Sequence, residues 1–467
     1  MSNPTNAFYD AREYGASGDG KTDDTASLQT AIDKCTKAGG GTLLLDHGVF
    51  LSGTLILKSN VSICINKGAE LRAYLDAKKF KHIQPKHRSR MDTKPWRAFL
   101  YAEDQENISI YGGGLFNGMG NHHEIFPNNK GNDPNRPYGI HFINCKYVTV
   151  KDLYMRNSAF WMQRYLYCSK VRLENLNIWN HGNINNDGID VDSSDDVIIS
   201  NCVVDSSDDG ICFKSEGEKP AKNIVVSNCI VSTHASAIKF GTGSVGGFQN
   251  INISNCVIRP SEATKMNHPH QAWGGLVGLD VSTVDGGPME NVAITNISID
   301  GVETPIFMRL GNRLSGSAAR QGYGGKVGDI DPDEKTAHAA RIKQEGVMRG
   351  VTISNVVAQN VGPIASIVSG YKNNPIEYLT LRDITLISSI PGNEADLTAK
   401  PEWAPNYYPV NRTVAAGHHL PVFGLIIRHT KNAVLDNIRL ISAKGEVRPG
   451  FLEEHNIGLR VEGLITE

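Results

Sequence analysis

The alternation of apolar and polar positions along this chain repeats. An alternating apolar run begins at Val197, again at Ile224 and again at Ile251, and each run leads into Ser-Asn-Cys (Asn201-Cys202, Asn228-Cys229, Asn255-Cys256). These starts lie 27 residues apart. The same pattern recurs from Val148, Val171, Val292, Val351 and Leu379, and the longer intervals after 251 and 292 place insertions inside individual repeats. Period-two alternation predicts strands. A unit this short cannot bury a core alone, so the units must stack and share one. The predicted fold is all-β, a single-stranded right-handed parallel β-helix with coils from about residue 40 to 445. An antiparallel sandwich would need hairpin dipeptides that are scarce here and a strand spacing less than half as long. Asn175, Asn201, Asn228, Asn255, Asn296 and Asn355 are expected to form a ladder, amide bonding to amide from coil to coil.

Ahead of the repeats, Asp23-Asp24-Thr25 predicts the cap of a short helix, Ala26 to Cys35, with Leu28, Ala31 and Ile32 on one face. Such a helix would cover strand edges at the end of the stack. No boundary divides the chain, so 1–467 is read as one β-helix domain: an N-terminal cap to about 40, with final coils and C-terminal loops from about 385. Residues 87–135 and 390–422 read as long loops, the usual carriers of function on a rigid scaffold.

Composition narrows the partners. A net charge of −2 and no long basic run argue against nucleic acid and a membrane surface. No window of eighteen apolar residues predicts a membrane span. The Met1-Ser2-Asn3-Pro4 start carries no leader pattern, so the chain is either cytoplasmic or a secreted or periplasmic protein without its leader. The eight cysteines form no CxxC pair, which argues against zinc and redox sites. Four follow asparagine (Cys145, Cys202, Cys229, Cys256) and read as a column of small buried thiols rather than disulfides. A monomer without cofactor or metal is expected.

Chemistry concentrates at Asn185-Asn186-Asp187-Gly188 and Asp205-Ser206-Ser207-Asp208-Asp209-Gly210. Aligning Gly188-Ile189 with Gly210-Ile211 stacks Asp187 over Asp209 on neighbouring coils, where strands lie about 4.7–4.9 Å apart. Three carboxylates in one patch hinder joint ionisation and raise at least one pKa. That suits glycoside hydrolysis, which needs one protonated acid and one ionised base. A solvated acidic turn is the bland alternative, and it is the reading for the earlier copy, Asp192-Ser193-Ser194-Asp195-Asp196.

These residues resemble the motifs of glycoside hydrolase family 28, the polygalacturonases, in which Asn-Thr-Asp precedes Asp-Asp by a coil. Here Asn186 replaces the threonine. The opening, Tyr14-Gly15-Ala16 through Asp23-Asp24-Thr25, then Gly39-Gly40-Gly41-Thr42, is similar to that of pectin-active β-helix enzymes. The resemblance implies Asp208 as general acid, Asp187 and Asp209 as activators of water, inversion at the anomeric carbon, and an acidic plant-type polysaccharide as substrate.

Departures from that pattern bear on specificity. Thr233-His234-Ala235 stands where Gly-His-Gly is expected, leaving His234 open between catalytic support and a structural role. The substrate-clamping Arg-Ile-Lys is absent, with Asp280-Val281-Ser282 in its place. Aligned strands put Lys214, Lys239 and Arg309 on the outward face. Lys239 is either a substrate contact or the ion-pair partner of Asp280. Arg309 and Arg313 are candidate substrate contacts, as are Asn185 and Trp161, although core packing explains Trp161 equally well. Arg428-His429 and His418-His419 could fold back over the groove. An acid at position 280 would repel a uronate, so rhamnogalacturonan or decorated pectin is expected over plain homogalacturonan. The alternatives are a polygalacturonase or exo-galacturonidase, a calcium-dependent lyase on the same fold, and a non-catalytic carbohydrate-binding module.

Overall fold

A computed structural model describes residues 7–90, 92, 95–128, 133, 135–263, 275–311, 345–371, 373–399 and 420–467. The chain is a right-handed parallel β-helix; among the described residues there is one α-helix, and the strands pair in parallel apart from the short His82–Ile83, which runs antiparallel to Trp96–Glu103. A strand that returns through a crossover to a parallel neighbour is right-handed by the twist of its own backbone. The chain divides into two compact units, 1–211 and 212–467.

In the first unit, Lys146–Arg156 pairs with Ser169–Asn180, bringing Val148 opposite Val171, and Val171 in turn lies opposite Val197. In the second, Ile224 pairs with Ile251, Ile251 with Val292, and Val292 with Val351. The repeat starts read from the sequence are thus register partners. Alternation explains the pattern: Ile224 and Val226 are fully buried, whereas Val225 between them is 41% exposed.

The predicted asparagine ladder forms over Asn255, Asn296 and Asn355, whereas Asn175 donates to Asp152 Oδ1 at 2.7 Å. Asn296 donates to Asn255 at 3.1 Å and Asn355 to Asn296 at 3.0 Å. All six asparagines adopt φ between 51° and 57°, the left-handed region that asparagine tolerates better than other residues with a Cβ. A second ladder, Asn223, Asn250 and Asn291, was not anticipated. The eight cysteines form no disulfide and are all buried. They do not form one column, because Cys145 lies beside Cys168, while Cys256 lies beside Cys229.

Three expectations need correction. Strands extend beyond 40–445: Phe8–Asp10 pairs with Gly41–Leu45, and Ile465–Thr466 pairs with Val434–Ile441. Residues 87–135 are not one loop, since Trp96–Glu103 is a core strand whose Leu100 lies opposite Ile140, with Glu106–Tyr111 and Leu115–Asn117 following. Basic and proline-rich flanks disguised that apolar run. The helix spans Thr25–Lys37 and buries Leu28, Ala31, Ile32 and Cys35, but the Asp24 side chain makes no cap bond. Its carboxylate instead accepts from Ser17 N at 2.6 Å and Gly18 N at 3.0 Å. In the 390–422 region, Glu394–Thr398 forms a short 3-10 helix with a capping box, and 400–419 lie outside the described residues.

Candidate active site

In the first unit, two turns carry the acids. The turn after strand Ser169–Asn180 leads through Asp187 to strand Ile189–Asp192, and the turn after Val203–Ser206 carries Asp208 and Asp209. Gly188 N donates to Asp209 O at 2.9 Å, and Ile189 N donates to Gly210 O at 3.0 Å. Asp187 and Asp209 therefore occupy equivalent positions one coil apart, as the alignment predicts. Both are 3% exposed, and Asp208 is half-buried.

Short polar side chains tie these turns down, which explains their Asn and Ser content. Asn180 donates to Asp187 O at 2.9 Å and accepts from Ser158 N at 2.9 Å. Ser206 Oγ donates to Asp208 O at 2.9 Å, and Ser207 Oγ donates to Asn183 O at 3.0 Å. Asn186, at the place of the family's threonine, is fully buried; its Nδ2 donates to Ser158 O at 2.9 Å and Phe160 O at 2.7 Å, and its Oδ1 accepts from Asn183 N. A side chain so engaged shapes the turn and leaves no surface for a ligand.

Beside Asp208 stands a residue that sequence reasoning missed. Arg136 is fully buried, its Nη2 donates to Asn185 Oδ1 at 3.0 Å, and Asn185 Nδ2 reaches Asp208 Oδ2 at 3.5 Å. Burial lowers the Arg136 guanidinium to about 10, against the opposing pull of Asp133, Tyr138 and Asp208. Only the Asn-Arg-Pro run before a strand signals it, and that run lay within the region read as a loop.

Trp161 is 5% exposed, stacked on Phe160 at 5.2 Å and edge-on to Tyr138 at 5.7 Å within an aromatic cluster. Below it, Arg164 is fully buried between Asp92 at 2.9 Å and Asp192 at 2.8 Å. The reading of Asp192-Ser193-Ser194 as a solvated turn is corrected: all three are buried, because Asp192 is an ion-pair partner of Arg164. Only Asp195 and Asp196 reach solvent.

The second unit carries the remaining candidates. His234 is 2% exposed between strands Ile230–Thr233 and Ser236–Ser244. Lys239 lies opposite Asp280, and Ser282 opposite Arg309, so the alignment of these strands is correct. Asp280 accepts from Ser236 Oγ at 3.1 Å and from Ser282 Oγ at 2.6 Å, so Ser282, at the place of the family's lysine, anchors an acid at the place of its arginine. Arg309 is 4% exposed, and Lys214 Nζ lies 3.1 Å from Cys212 Sγ. Arg428 pairs with Glu454 at 3.4 Å, and His429 stacks on His455 at 5.1 Å. Arg313, His418 and His419 lie outside the described residues. Glu303, unremarked in the sequence, is 8% exposed, and burial pushes its carboxyl up to about 7.

A 63-residue stretch is 49% identical to Alginate lyase 7 of Azotobacter vinelandii, over 12% of this chain and 7% of that protein. Over 213 residues the chain is 26% identical to a probable polygalacturonase of Vitis vinifera, covering 44% of this chain and 43% of that one. The chain thus spans less than half the length of these curated relatives. An exopolygalacturonase from Thermotoga maritima superposes with a TM-score of 0.66 at 20% identity, over 93% of this chain and 92% of its own, a likeness of fold. The model of glycosyl hydrolases family 28 matches residues 35–311, a span that holds both acidic turns and Lys239, Asp280 and Arg309. The chain belongs to glycosyl hydrolases family 28.

Proposed function

We propose that this chain is a glycosidase that hydrolyses a pectic polysaccharide or oligosaccharide. The observation that carries the reading is the register of the two acidic turns, which places Asp187 one coil from Asp209 with Asp208 beside it. Asp208 protonates the leaving oxygen, while Asp187 and Asp209 draw a proton from the attacking water. Water entering opposite the leaving group inverts the anomeric carbon. Of the second unit's residues, His234 is the candidate for catalytic support, and Lys239, Arg309 and Arg313 are the candidates for contact with a substrate carboxylate. Trp161, almost wholly covered by Phe160 and Tyr138, contributes the shape of the wall more than a stacking face. The protein acts as one domain and as a monomer, in a secreted or periplasmic setting; no described helix is long and apolar enough to cross a membrane.

A galacturonide linkage fits the polygalacturonases among the relatives. The preference for rhamnogalacturonan or decorated pectin rests on Asp280 and Ser282 alone. Against it, Asp280 is already held by two hydroxyls and lies opposite Lys239, which moderates the repulsion it offers a uronate. Digestion of polygalacturonic acid, rhamnogalacturonan and alginate, with NMR of the first product, separates the readings. New reducing ends of inverted configuration are expected from a pectic polymer. Unsaturated products would establish a lyase instead, and binding without turnover a carbohydrate-binding module.

A further inference from the structure

We propose that Arg136 is a positioning residue for this reaction: its buried guanidinium orients the Asn185 amide, which in turn holds the Asp208 carboxyl in place. The inference rests on the reading of Asp208 as the acid, and it adds a residue and a role to that reading.

The chemistry of donors and acceptors makes the case. A guanidinium can only donate, and an amide has one accepting and one donating end. Arg136 Nη2 donates to Asn185 at 3.0 Å, so the oxygen end of that amide must face Arg136. The nitrogen end then faces Asp208 Oδ2, 3.5 Å away. An amide whose orientation would otherwise be ambiguous is thereby fixed. The other carboxyl oxygen, Oδ1, accepts from Asp209 N at 3.1 Å. Both oxygens of Asp208 thus have a donor from the chain itself, which sets the plane of the carboxyl group.

Arg136 is well anchored for this task. Nη1 donates to Ile184 O at 2.5 Å and Ala159 O at 3.3 Å, and the guanidinium lies over the Phe160 ring at 4.8 Å. The fork therefore joins the backbone beside the aromatic cluster to the turn that bears Asn185 and Asp187. Asn185 itself sits at φ 52°, a left-handed corner that suits asparagine. A lysine would keep the charge, yet a single ammonium lacks the planar fork that spans these acceptors. Among the described residues of this unit, Asp133 and Asp208 act on the Arg136 guanidinium, Asp209 follows Asp208 in the chain, Asp187 clusters with Asp190, and His181 pairs with Asp205 at 2.8 Å.

The test uses the whole chain on polygalacturonic acid, with Arg136→Lys, Arg136→Met, Asn185→Ala and the double variant Arg136→Lys/Asn185→Ala. Misplacing a reacting group by about 1 Å can cost about 100-fold, so kcat should fall about 10- to 100-fold for each single variant, with KM nearly unchanged. The double variant should be no worse than Asn185→Ala, because both changes break one relay. Arg136→Met should also move the basic limb of the kcat profile to higher pH, since removing a cation favours the protonated acid, whereas Arg136→Lys should leave that limb in place. A folded Arg136→Lys enzyme with normal kcat, or a double variant whose losses multiply, would overturn the inference. Should Arg136→Met fail to fold, the lysine and alanine variants still decide it. Full activity in Asp208→Asn would remove the underlying reading instead, a result distinct from either.

Discussion

Gly188 donates its backbone N–H to the carbonyl of Asp209 at 2.9 Å. This bond sets the register of the two acidic turns, and it requires that residue 188 have no side chain. A Cβ there would meet Gly210 O at 2.7 Å and Val204 Cγ1 at 2.5 Å. Gly188→Ala must therefore push the coils apart, at about 1–3 kcal/mol for overpacking. Turnover should fall with it, because Asp187 moves relative to Asp209. Urea unfolding and kcat measured on one preparation check both effects, and an alanine variant equal to the parent in both would show that the contact is relaxed.

Replacing Asp187, Asp208 or Asp209 singly with Asn should lower kcat by about 10²–10⁴-fold per lost acid–base function, with the fold retained. Circular dichroism would establish the fold and reducing-end assays the rate. A folded Asp208→Asn enzyme of near-normal rate would remove that residue from the mechanism.

Arg164, wholly buried between Asp92 and Asp192, also donates to Ser89 Oγ at 2.7 Å. Arg164→Met leaves two buried carboxylates without their cation. Breaking a buried pair in this way costs about 3–5 kcal/mol, and the loss should appear as a lowered urea midpoint. A change below 1 kcal/mol would mean that water reaches the two acids.

Two buried groups should tilt stability in opposite directions with pH. Burial, with help from Arg164, lowers His141 from 6.5 to about 3. The unfolded chain takes up a proton first, so this contribution is complete above 6.5 and is lost as pH falls toward 3. Burial raises Glu303 from 4.5 to about 7. Its contribution is complete below 4.5 and is lost as pH rises through 7. Urea unfolding across this range should give a steeper acid limb in the parent than in His141→Gln. On the alkaline side, Glu303→Gln should flatten the decline. Unchanged slopes would show that these groups ionise as freely in the folded chain as in the unfolded one.

Asn296 bridges Asn255 and Asn355 at φ 56°. Asn296→Ala loses two amide contacts and puts alanine in left-handed backbone that asparagine tolerates better, at a cost of about 1–2 kcal/mol. Asn296→Gly loses the same contacts without that strain, so it should be the milder change. Equal urea midpoints for the two variants would count against the corner geometry.

The repeat, the register of Val148, Val171 and Val197, the burial of Leu28 and Ile32, and the stacking of Asp187 on Asp209 were all legible in the sequence. Period-two alternation and coil length are local properties, and in a stack of parallel coils a local register becomes a spatial one. The strand Trp96–Glu103 escaped notice because its flanks resemble loop composition, and Asp192 because an isolated acidic run looks like a solvated turn. The roles of Arg136 and Glu303 are not legible in the sequence. Their significance lies in what surrounds them: Arg136 donates to residues 23, 48 and 49 positions away in the chain, and the Glu303 carboxyl is perturbed by burial alone. Contacts between distant coils and the exclusion of water arise only when the whole chain closes around a side chain, so those two roles belong to the tertiary structure.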